Sequence, residues 1–147
     1  MQYSEAQQGR TFILRLEDGE IIHETIENFA RKHNIQAASL IIVGGADKGS
    51  KLVVGPEDGR SKNIQPMHHT LKNVHEIAGT GTLFPDEEGN PSLHMHITAG
   101  RDDSAVTGCI RKGVKTWLIT EIILTEIKNT TAIRKMDSDS GFTLLSP

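Results

Sequence analysis

Residues 11–16 read TFILRL, with Phe12, Leu14 and Leu16 falling on one face of an alternating pattern. Period-two alternation predicts a strand, and the turn-forming EDGE that follows ends it. The period then lengthens. In GEIIHETIENFARKHNI, the residues Ile22, Ile26, Phe29, Ala30 and His33 recur at helical spacing. Asp18 is the expected N-cap, Arg31, Lys32 and His33 suit the negative end of the helix dipole, and Asn34 is the expected stop. This is the one long helix that the pattern predicts. AASLIIVGGADKGSKLVV (37–54) reads as two strand pieces around the pair Gly44 and Gly45, with ADKGSK as the reversal. GPEDGRSKNIQPMHH (55–69) is polar and rich in turn residues, hence an expected exposed loop.

The second half alternates more clearly. VHEIAGTGTLF (74–84) and SLHMHITAG (92–100) flank the proline- and glycine-bounded PDEEGNP, a hairpin signature. Antiparallel pairing across that loop sets His94 and His96 near Thr82 and Thr80. TWLITEIILTEI (116–127) is the most apolar run, with Leu118, Ile122 and Leu124 expected on one face and Trp117, Ile119, Ile123 and Ile127 on the other. One helix cannot cover two apolar sheet faces, so the sheet must curl on itself or meet another subunit. Oligomerisation is expected on that ground. Glu121 and Glu126, set in this run, need partners or solvent, and Glu121 is a candidate interface acid.

A chain of 147 residues suits one domain and buries roughly 70% of its unfolded surface. Sixteen Lys and Arg against 19 Asp and Glu give a formal charge of −3, which offers no global attraction to nucleic acid or anionic membrane. The single cysteine, Cys109, excludes an internal disulfide framework. The first ten residues, MQYSEAQQGR, are polar, and no apolar run is long enough to span a bilayer. A cytoplasmic protein that does not enter the membrane is expected.

Chemistry concentrates in PSLHMHITAG (91–100), where His94 and His96 stand two apart on an expected strand and so share a face. Two imidazoles on a rigid base offer half of a zinc site; a metal-free proton-relay pocket and a surface polar pair are the alternatives. His75 is the other nearby candidate. Parity along an unbroken strand turns it away from Thr80 and Thr82, and a bulge near Gly79 would reverse that. The adjacent His68 and His69 point oppositely on an extended chain, and His23 and His33 lie on the expected helix. Asp86, Glu87 and Glu88 lack the spaced oxygens of a twelve-residue calcium loop. Gly44 and Gly45 lead into no helix and match no GxxxxGK[ST] pattern. The basic clusters Arg111, Lys112, Lys115 and Arg134, Lys135 are short and near acids, as on a solvated face.

GRTFILRL followed by a helix, then HEIAGTGTLFPDEEGNPSLHMHITAGR and TGCIRKGVKTWLITEI, together resemble the plants-and-prokaryotes-conserved (PPC) domain in its stand-alone prokaryotic form. The likeness covers roughly residues 9 to 145, as one domain over 1–147. It implies an α/β (α+β) fold, a mainly antiparallel sheet with one principal helix packed on it, assembled as a homotrimer. In the family, a glycine turn after the L-H-x-H strand often leads to Gly-Gly-His-Leu. The matching stretch here is Thr107-Gly108-Cys109-Ile110, so cysteine stands where the family has histidine. Thiolate is itself a good zinc ligand. The resemblance therefore implies a divalent-metal site, zinc foremost, with His94, His96, Cys109 and His75 as its candidate ligands.

Such sequences are commonly labelled DNA-binding, largely through plant relatives that carry AT-hooks built on Arg-Gly-Arg-Pro. This sequence contains no such hook, which in those relatives lays a basic strip into the minor groove. A DNA-binding or regulatory role is thus the family expectation. The alternative is a zinc-dependent hydrolase or lyase with three protein ligands plus water, in which Glu76 or Glu121 would serve as base. No G-x-S-x-G nucleophile motif is present.

Overall fold

The computed structural model describes residues 1–61, 64–138 and 140–147. Its strands are β1 (Gln7–Glu17), β2 (Ala37–Ala46), β3 (Lys51–Pro56), β4 (Pro66–Thr70), β5 (His75–Pro85), β6 (Pro91–Arg101), β7 (Ser104–Cys109), β8 (Thr116–Lys128), β9 (Ile133–Met136) and β10 (Thr143–Ser146). The helix α1 spans Ile22–Lys32, and a 3-10 turn covers Ile110–Lys112. The first eight strands form one sheet in the order β1-β8-β2-β5-β6-β7-β3-β4, and β9 and β10 pair as a separate hairpin. Every pairing is antiparallel.

The inner face carries the core. Leu16, Leu40, Ile42, Ile77, Leu83, Leu93, Met95, Ile97, Ile122 and Leu124 are buried there with Ile22, Ile26 and Ala30 of α1. Alternation along the strands and the i, i+4, i+8 stripe of the helix explain this closure: each element has one apolar side, and the two sides meet. Each fully buried isoleucine or leucine contributes about 1.5–3 kcal/mol. Asn34 takes φ 53°, the left-handed conformation that ends a helix. Among the described residues, no helix is long and apolar enough to cross a membrane.

The structure corrects several local expectations. Asp18 does not cap α1. The N-cap is Ile21, without a side-chain bond, because the chain is still bridged to Lys115 there and the Ile22 amide is satisfied by the Val114 carbonyl. Asp18 instead accepts the Leu118 amide at 2.8 Å. Leu118 does not share the buried face of Ile122 and Leu124. The register between β2 and β8 shifts at Gly44/Gly45, Leu118 takes φ 61°, and its side chain is 61% exposed. The stretch 55–69 is not all loop, since Pro66–Thr70 adds β4 to the sheet edge with every residue exposed. Its lack of apolar alternation follows from having neither face covered.

Among the described residues, no helix covers the outer face. Ile13 (85% exposed), Ile41 (57%), Val43 and Ile123 stand open to solvent and line a depression of about 340 Å³ with Arg15 and Glu121. Both faces of β8 are therefore apolar, as its sequence indicated, and only one is covered within the chain.

Candidate metal centre

The polar half of that outer face is built by β5, β6 and β7. The β5–β6 ladder runs unshifted from Glu76↔Gly100 to Pro85↔Pro91 and sets Thr80 opposite His96 and Thr82 opposite His94, the pairing expected from the hairpin. These small partners leave a depression of about 290 Å³ lined by Thr80, Gly81, Thr82, His94 and His96. Gly79 lets the two strands approach. A Cβ there would collide with the carbonyl oxygen of His96 and lie 2.9 Å from the Ile97 Cα. On the far side of β6, Cys109 pairs directly with His96, and β7 ends there as the chain turns into Ile110–Lys112.

These registers bring three donor groups together. Nε2 of His94 lies 3.1 Å from Nε2 of His96, with ring centroids 4.9 Å apart and the rings at 72°. The ligand atoms of His94, His96 and Cys109 all lie within 4.8 Å of one another. Two nitrogens on tetrahedral zinc, at bond lengths of about 2.0–2.1 Å, stand about 3.3 Å apart. The imidazole pair is thus close to that spacing already, and two nitrogens with a thiolate are a donor set that zinc favours. The chemistry of the three donors and the spacing of the imidazole pair fit the metal.

The electrostatics keep His94 ready to donate a lone pair. His94 is exposed at the cleft mouth, and its partial burial there, then the charges of Arg134, His96 and Arg111, lower its pKa to about 4, so the ring is neutral at pH 7. Arg134 was expected on a solvated face, and the structure corrects this: it is only 3% exposed. It reaches from the C-terminal hairpin to β5 and β6, donating from Nε to the Ser92 carbonyl (3.2 Å) and from Nη2 to the carbonyl (3.2 Å) and hydroxyl (2.9 Å) of Thr82. Its guanidinium carbon sits 5.9 Å from the centre of the Phe84 ring. Burial and Arg111 lower its pKa, while Cys109 acts the other way. No sequence signal marks this residue, because the contact spans 52 positions to Thr82.

Other sequence candidates lie apart. His75 pairs with Ala46 at the opposite end of β5, and its Nδ1 is 2.8 Å from the Asn73 carbonyl oxygen. The unshifted ladder leaves it on the parity opposite to Thr80 and Thr82. His68 and His69 lie on β4, at the sheet edge. His33 stacks at 4.2 Å on Phe29, and His23 lies on α1 with its Nδ1 buried and unpartnered. Glu121 faces out beside Ile13 and Ile123. Asp86 accepts the amides of Glu88 and Asn90 within the β5–β6 turn, as a solvated turn acid does.

An antiparallel sheet closed on one side by α1, with a His-His-Cys cluster on its open side, defines an α+β domain with a candidate metal centre. Residues 3–128 match the model of the Plants and Prokaryotes Conserved (PCC) domain, and the chain belongs to that family. No curated protein matches the chain. Among solved structures, the metal-containing protein AF0104 from Archaeoglobus fulgidus shares 23% identity and a TM-score of 0.84, with 100% of both chains covered. A plant- and prokaryote-conserved (PPC) protein from Pyrococcus horikoshii shares 25% identity and a TM-score of 0.82, over 100% of this chain and 98% of its own. A Ralstonia eutropha JMP134 protein, named as a candidate DNA-binding protein, shares 23% identity and a TM-score of 0.71, over 92% and 90% of the two chains.

Proposed function

We propose that this PCC-family chain binds a divalent transition metal, zinc by its donor chemistry, through His94, His96 and Cys109. The observation that carries this is the convergence of the three ligand atoms within 4.8 Å of one another on one rigid sheet face. The metal-containing Archaeoglobus neighbour supports it. A metal held by His94, His96 and Cys109 would supply Lewis-acid chemistry there. The chain's own residues do the rest. The β6–β7 register aims the ligands, the low pKa of His94 keeps its ring free of a proton, and Thr80 and Thr82 keep the approach uncrowded.

The same reading includes assembly through the outer face, as a homotrimer by family resemblance, with Ile13, Ile41, Val43 and Ile123 as the apolar contact. The test of the metal site is elemental analysis of untagged protein beside the His94→Ala/His96→Ala variant. Near-stoichiometric zinc that the variant loses, with its fold kept by circular dichroism, is expected. Equal metal content in the two proteins refutes the site.

A DNA-binding role is the second reading. It rests on the Ralstonia neighbour's name and on one surface feature, a depression lined by Lys51, Lys112, His68 and Thr70 at the β3–β4 edge. Affinity for duplex DNA that falls steeply with salt would support it, and no binding at low salt would sink it.

A further inference from the structure

Arg134 is a buried guanidinium without a carboxylate partner. No Asp or Glu among the described residues lies within ion-pair distance of it. Its hydrogen bonds run from Nε and Nη2 to neutral oxygens of Ser92 and Thr82, and Nη1 has no partner among the described residues. An uncompensated charge so largely removed from water is costly. The residue is fixed rather than loose: three hydrogen bonds hold the fork and Phe84 lies against it. It stands beside the cleft, because the Thr82 hydroxyl it grips belongs to the cleft wall opposite His94. Arg111, directly after the Cys109 turn, adds a second positive charge that both His94 and Arg134 sense.

Two cations beside a His-His-Cys cluster are the wrong company for a metal dication alone. They are the right company for an anion. We infer that Arg134, with Arg111 in support, is the anion-binding half of this cleft, and that its ligand carries a carboxylate or phosphate oxyanion received by the free Nη1 of Arg134 next to His94. Guanidinium is suited to both groups through its fixed N–H fork. The inference deepens the metal reading by naming the ligand class of the same cleft, yet Arg134 has no carboxylate partner whether or not a metal is bound. Arg134 lies past residue 128, where the match to the family model ends.

The test is calorimetric titration of the protein, metal-free and zinc-treated, with inorganic phosphate and separately with oxalate, ionic strength being held constant with sodium chloride. Saturable binding of at least one anion at millimolar concentration is expected, weakened at least tenfold in Arg134→Gln and unchanged in Arg31→Gln, which removes one charge from the helix. Whichever anion binds identifies the source class. Should Arg134→Gln not fold, the unaltered protein decides: the Arg134 Nε–H and Thr82 amide resonances must shift along the same saturation curve as the heat. No saturable binding, binding retained by Arg134→Gln, or unmoved Arg134 and Thr82 resonances would overturn the inference. Metal content measured in parallel separates the two readings. Zinc-replete protein that binds no anion defeats this inference alone, and anion binding by protein that takes up no zinc defeats the metal site alone.

Discussion

Glu126 sits buried on β8, facing the start of β1, and Arg10 encloses it. Oε2 accepts from the Arg10 amide (3.0 Å) and from its Nε (2.8 Å), and Oε1 accepts from Nη2 (2.8 Å). The hydrogen bond from the Arg10 side chain, above all, holds the carboxyl pKa at about 2, against 4.5 for an ordinary glutamate. That displacement corresponds to about 3 kcal/mol of preference for the ionised folded form. Because the Arg10 side chain is 48% exposed, solvent screening cuts the stabilisation to about 1.5 kcal/mol. Glu126→Gln should therefore lower the unfolding free energy by about that amount at pH 7. The unfolded chain takes up its proton near pH 4.5 and the folded chain only near 2, so the contribution is complete above the first value and lost as pH falls toward the second. Urea titrations of both proteins at fixed concentration, at pH 7, 4 and 3, read the difference directly. A gap below about 0.5 kcal/mol at pH 7, or one that does not shrink as the pH falls, would refute the argument.

Three further outcomes follow from the open face. Gly79→Ala places a methyl against the His96 carbonyl, a backbone atom that cannot swing aside; a loss of about 1–3 kcal/mol and reduced zinc uptake are expected, and a thermal midpoint within 1 °C of the parent's would contradict this. Ile41→Asp puts a charge in the middle of the exposed apolar strip and should leave the inner core intact while abolishing self-association; light scattering at micromolar concentration checks it, and an unchanged assembly would disprove the proposed contact. In metal-free protein, the His94 ring should titrate at about pH 4 by NMR, and Arg134→Gln should raise that value by removing a neighbouring cation. A midpoint near 6.5 would mean that the cleft does not shield His94. The unfolded ring protonates near 6.5 and the folded one only near 4, so this histidine makes the fold less stable as pH falls through that window.

Much of this architecture was legible because its information is local. Strands β1, β5, β6 and β8 each alternate over enough residues to show which positions share a side, and the Pro- and Gly-bounded turn fixed the register of His94 and His96 against Thr82 and Thr80. What escaped is non-local or lacks contrast. β7, SAVTGC, is short and mixes small apolar and polar residues without alternation, so pattern alone did not mark Cys109; the family likeness did, and the pairing with His96 supplies its physical basis. Leu118 escaped because it sits inside the bulge where β8 steps from Thr120 to Trp117 against Gly44 and Gly45, with φ 61°. Arg134 escaped because a lone arginine in AIRKM looks the same whether it meets water or folds back over another hairpin.

The registers also tie the two proposals together. One cross-strand row runs Ile13, Ile123, Ile41, Thr80, His96 and Cys109, passing in order through β1, β8, β2, β5, β6 and β7. Neighbouring strands lie about 4.8 Å apart, so Ile41 and His96 are separated by about 10 Å across a sheet that carries only Thr80 between them. The apolar half of the row has no reason to stay in water, and the polar half has no reason to be dry. A surface that covers the first ends at the edge of the second. Assembly through Ile41 and Ile123 would thus wall the cleft on its β5 side, lower the local dielectric around His94 and Arg134, and strengthen every charge interaction there. The unpaired guanidinium would then be more costly without an anion, so self-association and anion binding should reinforce each other.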